Sequence, residues 1–131
     1  MADIYVDLSG IAKGFAVDSI ASLLEENSYE DYLIEIGGEL KVGGKNREGR
    51  LWSIAVEKPE VLKRSIFRAL PLKSLAMATS GDYRNYREID GQRYSHLIDP
   101  RTGMPITHKL VSVLSLIHIS EPTRRYAISY A

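Results

Sequence analysis

Between residues 10 and 28 the apolar side chains return every three or four positions. Ile11, Phe15, Ala16, Ile20, Leu23 and Leu24 hold that spacing in GIAKGFAVDSIASLLEENS, which predicts one amphipathic helix. Ser9 is placed to cap its start. Gly14 inside the pattern costs about 1 kcal/mol against alanine, and a close backbone approach would explain it. Elsewhere the period is two. DIYVDLSG predicts a short strand running into a turn. DYLIEIGGELKVGG alternates as a strand, breaks at Gly37-Gly38 and resumes to Gly43-Gly44. Paired glycines there predict a bulge or a tight approach by another group. LWSIAVEKP and SIFRALPLK predict further strands. SLAMATSGDYRNYREIDGQRYSHLIDP predicts a strand, a turn at Ser80-Gly81 and a hairpin about Asp90-Gly91. KLVSV begins one more strand. One helix among hairpin-connected strands is an α+β pattern.

Composition narrows the function classes. The chain has 131 residues, 44% of them hydrophobic, enough for one domain with a core. Lys+Arg and Asp+Glu both number 17. That balance argues against a nucleic-acid binder, which carries a basic excess. The absence of cysteine removes thiolate catalysis, disulfides and Cys-ligated metal. No apolar run approaches a membrane span. The opening MADIYVDLSG has neither a basic start nor an apolar core, so no signal peptide is expected there. It enters an apolar segment at once, as a chain cut from something longer would.

Three stretches carry candidate chemistry. In DLSGIAKGFAVD a strand delivers Asp7, a turn follows and a helix begins. Helix starts present free N–H groups and a positive dipole end, which suit phosphate. Lys13 in the first turn opposes that dipole, and a phosphate ligand would explain it; a solvated lysine and a capping aspartate are the plainer alternative. In ATSGDYRNY, Thr79, Ser80 and Gly81 form a polar stretch able to hold an anion on backbone N–H groups, or an ordinary strand-ending turn. Tyr83 and Tyr86 read as sheet residues. In SHLIDPRTGMP, Asp99, Pro100 and Gly103 fit a tight turn. His96, Asp99, Arg101 and Thr102 crowd onto that turn. Together the stretches suggest a nucleotide-like anionic ligand.

Taken in order, Asp7–Asp18, Ile36–Gly38, Thr79–Tyr83 and His96–Pro105 resemble the motifs of the ApbE family, the FAD:protein FMN transferases. The resemblance implies an incomplete T-fold-like architecture of antiparallel sheet layers with packed helices. It also implies a reaction. FAD would be the substrate, with Mg²⁺ on its pyrophosphate. A threonine hydroxyl of an acceptor protein would attack the FMN-side phosphorus, and AMP would leave, by positioning and charge neutralisation. Carried over by motif, Asp7, Lys13 and Ile98 are expected to contact FAD. The Gly10 carbonyl is expected to bind Mg²⁺. His96 is expected to be catalytic, in proton transfer or phosphate stabilisation. Implied acceptors are flavoprotein subunits of redox complexes (Nqr/Rnf-type), at the periplasmic face of the bacterial inner membrane, with any membrane attachment through an N-terminal anchor absent here.

The departures shape a second set of expectations. Family members are roughly twice this long or more, so residues 1–113 are expected to be the C-terminal part of a flavin transferase domain. Beyond the LVSV strand the family carries an aspartate and a threonine that complete the Mg²⁺ site. Here LSLIHISEPTRRYAISYA stands instead. Its back-translation resembles the transposase end and index adapter of sequencing libraries, with Arg125–Ala127 across the index. Residues 114–131 are therefore expected to be non-native, and the chain as written inactive. A non-catalytic FAD-binding protein and an FAD pyrophosphate hydrolase are the alternatives; AMP release and the form of the FMN product separate them.

Overall fold

The computed structural model describes residues 4–58, 65–81, 86–107, 112–118 and 125–130. One helix, α1 (Ala12–Glu26), precedes an antiparallel hairpin of β1 (Tyr32–Ile36) and β2 (Glu39–Gly43). Gly37 and Gly38 form the turn between them, with φ of 56° and 97°. Two successive positive φ values suit a two-residue hairpin turn, and glycine adopts them without strain. The paired glycines therefore end one strand and start another, where the sequence pattern suggested one interrupted strand.

A second hairpin pairs β3 (Trp52–Glu57) with β4 (Ile66–Leu72). Pro71 fits because β4 has a free edge in this two-stranded sheet. β5 (Leu75–Gly81) then joins β2, and β10 (Ser112–His118) joins β5. With β11 (Arg125–Tyr130) the main sheet runs β1-β2-β5-β10-β11. The expected boundary between Val113 and Leu114 falls inside β10. Two small hairpins complete the fold: β6 (Tyr86–Ile89) with β7 (Gln92–Ser95), and β8 (Ile98–Asp99) with β9 (Met104–Pro105). Asp90 and Gly91, with φ of 51° and 74°, make the turn read from the sequence.

The strand period of two splits the main sheet into two faces. Leu40, Val42, Met77 and Leu114 face the β3–β4 hairpin and form a core with Leu72. Tyr32 and Ile34 lie on the other face and pack with Val17 and Ala21 of α1. The helix thus turns Val17, Ala21 and Leu24 inward. Ile11, Phe15 and Leu23, expected on its buried stripe, are 67%, 74% and 59% exposed. The segment before the helix differs from expectation too. Residues 4–8 form no strand; Ile4, Tyr5, Val6 and Leu8 are exposed and have no ladder partner among the described residues. A strand without a neighbour satisfies neither its amides nor its apolar face. Among the described residues no helix is long and apolar enough to cross a membrane.

Candidate functional site

Asp7 and Ser9 pair with each other at the approach to α1. The Asp7 carboxylate accepts from the Ser9 amide at 2.8 Å and from the Ser9 hydroxyl. The Ser9 hydroxyl, then its amide, hold the Asp7 carboxyl below its ordinary range. Ser9 therefore does not cap the helix. Ile11 is the N-cap, without a side-chain bond, and the first turn holds no acidic residue. The positive end of the helix dipole is left without a carboxylate in that turn. Gly10 and Gly14 both have open space where a Cβ would sit. No close approach explains Gly14 among the described residues.

Lys13 reaches from the first turn of α1 to the β1–β2 hairpin. Its Nζ donates to the Gly37 carbonyl at 3.0 Å and lies 2.6 Å from Glu39 Oε2. A Cβ on Gly37 would sit 3.2 Å from Lys13 Cδ, so the glycine leaves room for the lysine stem. The side chains of Lys13 and Glu39 are 44% and 20% exposed, so the carboxylate lies deeper and the ammonium faces outward. Glu39 offsets the unfavourable cation in the first helical turn, a role the sequence suggested for a phosphate. Five residues on, Asp18 lies 3.4 Å from the buried Lys41. A Lys/Asp pair on the helix thus meets a Glu/Lys pair on β2. Both β2 charges were missed in the sequence. Their signal was their place: positions 39 and 41 alternate with Leu40 and Val42 and so lie on the face that α1 covers.

The next motif adjoins this seat. Thr79, Ser80 and Gly81 do not form the expected turn; they extend β5, with Gly81 and Ser80 opposite Ser112 and Val113. Asp82 and Tyr83 lie outside the described residues. The Thr79 carbonyl lies 3.7 Å from the position of a Cβ on Gly38, so the second and third motifs meet at the hairpin turn. A cavity of about 630 Å³ opens beside them, between the main sheet and β3. Gly37, Gly38, Leu40, Ile54, Met77 and Thr79 are among its lining residues.

The fourth motif forms its own corner. His96 is exposed at the bend between β7 and β8, and Ile98 is 54% exposed in β8. The Ser95 hydroxyl accepts from the Leu97 amide at 3.1 Å. Asp99 begins the β8–β9 turn as expected: its carbonyl accepts from the amides of Thr102 at 3.2 Å and Gly103 at 2.8 Å. Its carboxylate accepts from Arg101 Nε at 3.1 Å, Nη2 at 2.8 Å and the Arg101 amide at 2.9 Å. Those bonds hold the Asp99 carboxyl below its ordinary range and raise the Arg101 guanidinium. Arg101 thus clamps its own turn. Neither Lys13 nor His96 lines the 630 Å³ cavity. Contacts link Lys13, Gly37, Gly38 and Thr79, while His96 lies at the bend before the β8–β9 hairpin and Ile98 lies within it.

Magnesium requires several oxygen ligands in near-octahedral order. Among the described residues no three His, Cys, Asp or Glu side chains gather for a metal. A Gly10 carbonyl alone does not make such a site, so the described residues do not fit the ion by themselves.

Comparison with known proteins locates this arrangement. The profile described as "ApbE family" matches residues 1–121. A Vibrio cholerae protein named "FAD:protein FMN transferase" is 54% identical over 114 residues, 87% of this chain and 34% of that protein. The solved "Flavin Transferase ApbE from Vibrio cholerae" superposes with a TM-score of 0.74 at 49% identity, over 86% of this chain and 35% of that one. The ApbE protein from Thermotoga maritima gives a TM-score of 0.75 at 36% identity, over 85% and 35% of the two chains. The chain spans about a third of the length of the curated relatives it matches.

Proposed function

The chain belongs to the ApbE family, and from that premise we propose that its fold serves the transfer of FMN from FAD to a protein hydroxyl. The observation that carries this reading is the Lys13 seat. An ammonium is held half-exposed at an uncapped helix start, over a glycine turn. Among the described residues it donates one hydrogen bond, to the Gly37 carbonyl, and is in ionic contact with Glu39. Of its three donors, one not used by Gly37 is offered to an oxygen of the FAD pyrophosphate. The Ile11 and Ala12 amides donate to the Leu8 carbonyl, but the helix start has no side-chain cap bond and its dipole adds to the same anion preference.

In this reading Lys13 neutralises charge on the pyrophosphate, and Asp7, fixed by Ser9, contacts the same cofactor. Ile98 offers exposed apolar surface to FAD. His96 moves a proton or steadies the transferring phosphoryl group. The threonine hydroxyl of the acceptor forms the new phosphoester bond to the FMN phosphorus. The bond to the AMP oxygen breaks, and AMP leaves with that electron pair. Magnesium would supply Lewis-acid stabilisation when bound, and the Gly10 carbonyl would be this chain's own contribution to its ligands. The acceptors belong to flavoprotein subunits of redox complexes at the periplasmic face of the inner membrane.

Titration of flavin fluorescence with FAD and with riboflavin tests the reading. FAD is expected to bind more tightly because riboflavin lacks the pyrophosphate, and Lys13→Met is expected to remove most of that preference. Equal affinity for the two flavins in the wild-type chain refutes it. Intact-mass analysis with an acceptor domain reads transfer as FMN added to a threonine; from the chain as written, whose described residues do not fit magnesium by themselves, none is expected.

A further inference from the structure

We propose that Glu39 is the positioning residue for Lys13: it fixes the ammonium over the Gly37–Gly38 turn before any ligand arrives. The inference rests on the FAD reading above. Lysine is long and flexible, and a freely moving ammonium must be ordered when it meets an anion. Here the order is built in. Glu39 stands on β2, with Ile36 opposite it on one side and Ala78 on the other. It is therefore a fixed point in the main sheet. Its Oε2 is buried and makes no well-directed hydrogen bond, although Lys13 Nζ lies 2.6 Å away. The contact is thus ionic. It restrains where the ammonium sits while leaving its N–H directions to Gly37 and to a ligand.

A plainer role is to dock α1 on β2, as Asp18 and Lys41 do. The two roles separate experimentally. Docking alone makes Glu39→Gln and Asp18→Asn equivalent, with a shared loss of thermal stability and no selective effect on FAD. Positioning makes them differ.

The test uses the chain with FAD, riboflavin and an amine-labelling reagent, with mass spectrometry reading each lysine. In Glu39→Gln, Lys13 is expected to label several-fold faster than in the wild type, with exposed Lys45 as the internal standard. FAD binding should weaken about three- to tenfold, a range set by the lysine freedom that Glu39 removes in advance. Riboflavin binding should not change. Asp18→Asn should leave Lys13 labelling and the FAD preference as they are. Glu39→Gln should add nothing in a Lys13→Met background, because it acts through that lysine. Unchanged labelling with equal or tighter FAD binding in Glu39→Gln overturns the proposal, as does equivalence with Asp18→Asn. If the wild-type chain shows no preference for FAD, the pyrophosphate reading falls; the labelling rates still decide whether Glu39 holds Lys13.

Discussion

Replacing Gly43 by alanine tests the packing that sets the β1–β2 hairpin beneath α1. A Cβ there would lie 2.5 Å from Tyr32 Cε1, 2.6 Å from the Glu30 carbonyl oxygen and 2.8 Å from Tyr32 Cζ. All three distances fall well inside van der Waals contact. The ring has little room to retreat: Tyr32 is 7% exposed, packs with Val17 and Ala21, and donates its hydroxyl to Glu25. The strand has little room as well, because the Gly43 carbonyl accepts from Trp52 Nε1 at 2.7 Å. Overpacking of this kind costs about 1–3 kcal/mol, and a weakened tyrosine–carboxylate hydrogen bond adds roughly 1 kcal/mol. The expected loss is therefore about 2–4 kcal/mol, a fall in Tm of roughly 10 °C for a domain of this size. Gly14→Ala is the matched control. Open space surrounds its Cβ position, so it should gain about 1 kcal/mol from helix propensity. Urea and thermal denaturation monitored at Trp52 measure both. A Gly43→Ala variant within about 0.5 kcal/mol of wild type would refute the packing argument.

Two further outcomes follow from the geometry. The Asp99 carboxyl is held below its ordinary value of 3.8 by Arg101. Its contribution to the β8–β9 turn is therefore present above that value and lost as pH falls through the lower folded one. Carboxyl NMR titration should show the Asp99 midpoint rising in Arg101→Ala; an unchanged midpoint contradicts the clamp. Leu114 is 3% exposed within the core under β3–β4. Leu114→Ala should cost about 2–5 kcal/mol, whereas removal of residues 119–131 leaves every core member among the described residues in place and should cost less. Chemical denaturation ranks the two, and the reverse order contradicts the assigned core.

The period-two segments after residue 31 and the Asp90-Gly91 turn were legible because their signals are local, whereas residues 4–8 carry the pattern without a ladder partner among the described residues. A hairpin turn announces itself by residues that accept positive φ, and α1 by its spacing. What the sequence concealed depended on what lies opposite. Ser9 looked like a cap until Asp7 took its hydroxyl. Ser80 and Gly81 looked like a turn until Ser112 and Val113 extended the ladder beyond them. The inward face of α1 was misjudged because Ile11, Phe15 and Leu23 outweigh Val17 and Ala21 in size. Lys13 drew notice as a cation at a helix start, yet its partner Glu39 drew none within an alternating strand. No spacing rule in one sequence pairs a helix position with a strand position from another element.

Backbone amide NMR of the ¹⁵N-labelled chain, titrated with FAD and separately with riboflavin, tests the central assignment most directly. FAD should shift the amides of residues 9–14 and 37–39 in one saturable event, and riboflavin should leave them unmoved. FAD shifts confined to Leu40, Ile54 and Met77 inside the neighbouring cavity, with residues 9–14 silent, would contradict a pyrophosphate seat at Lys13.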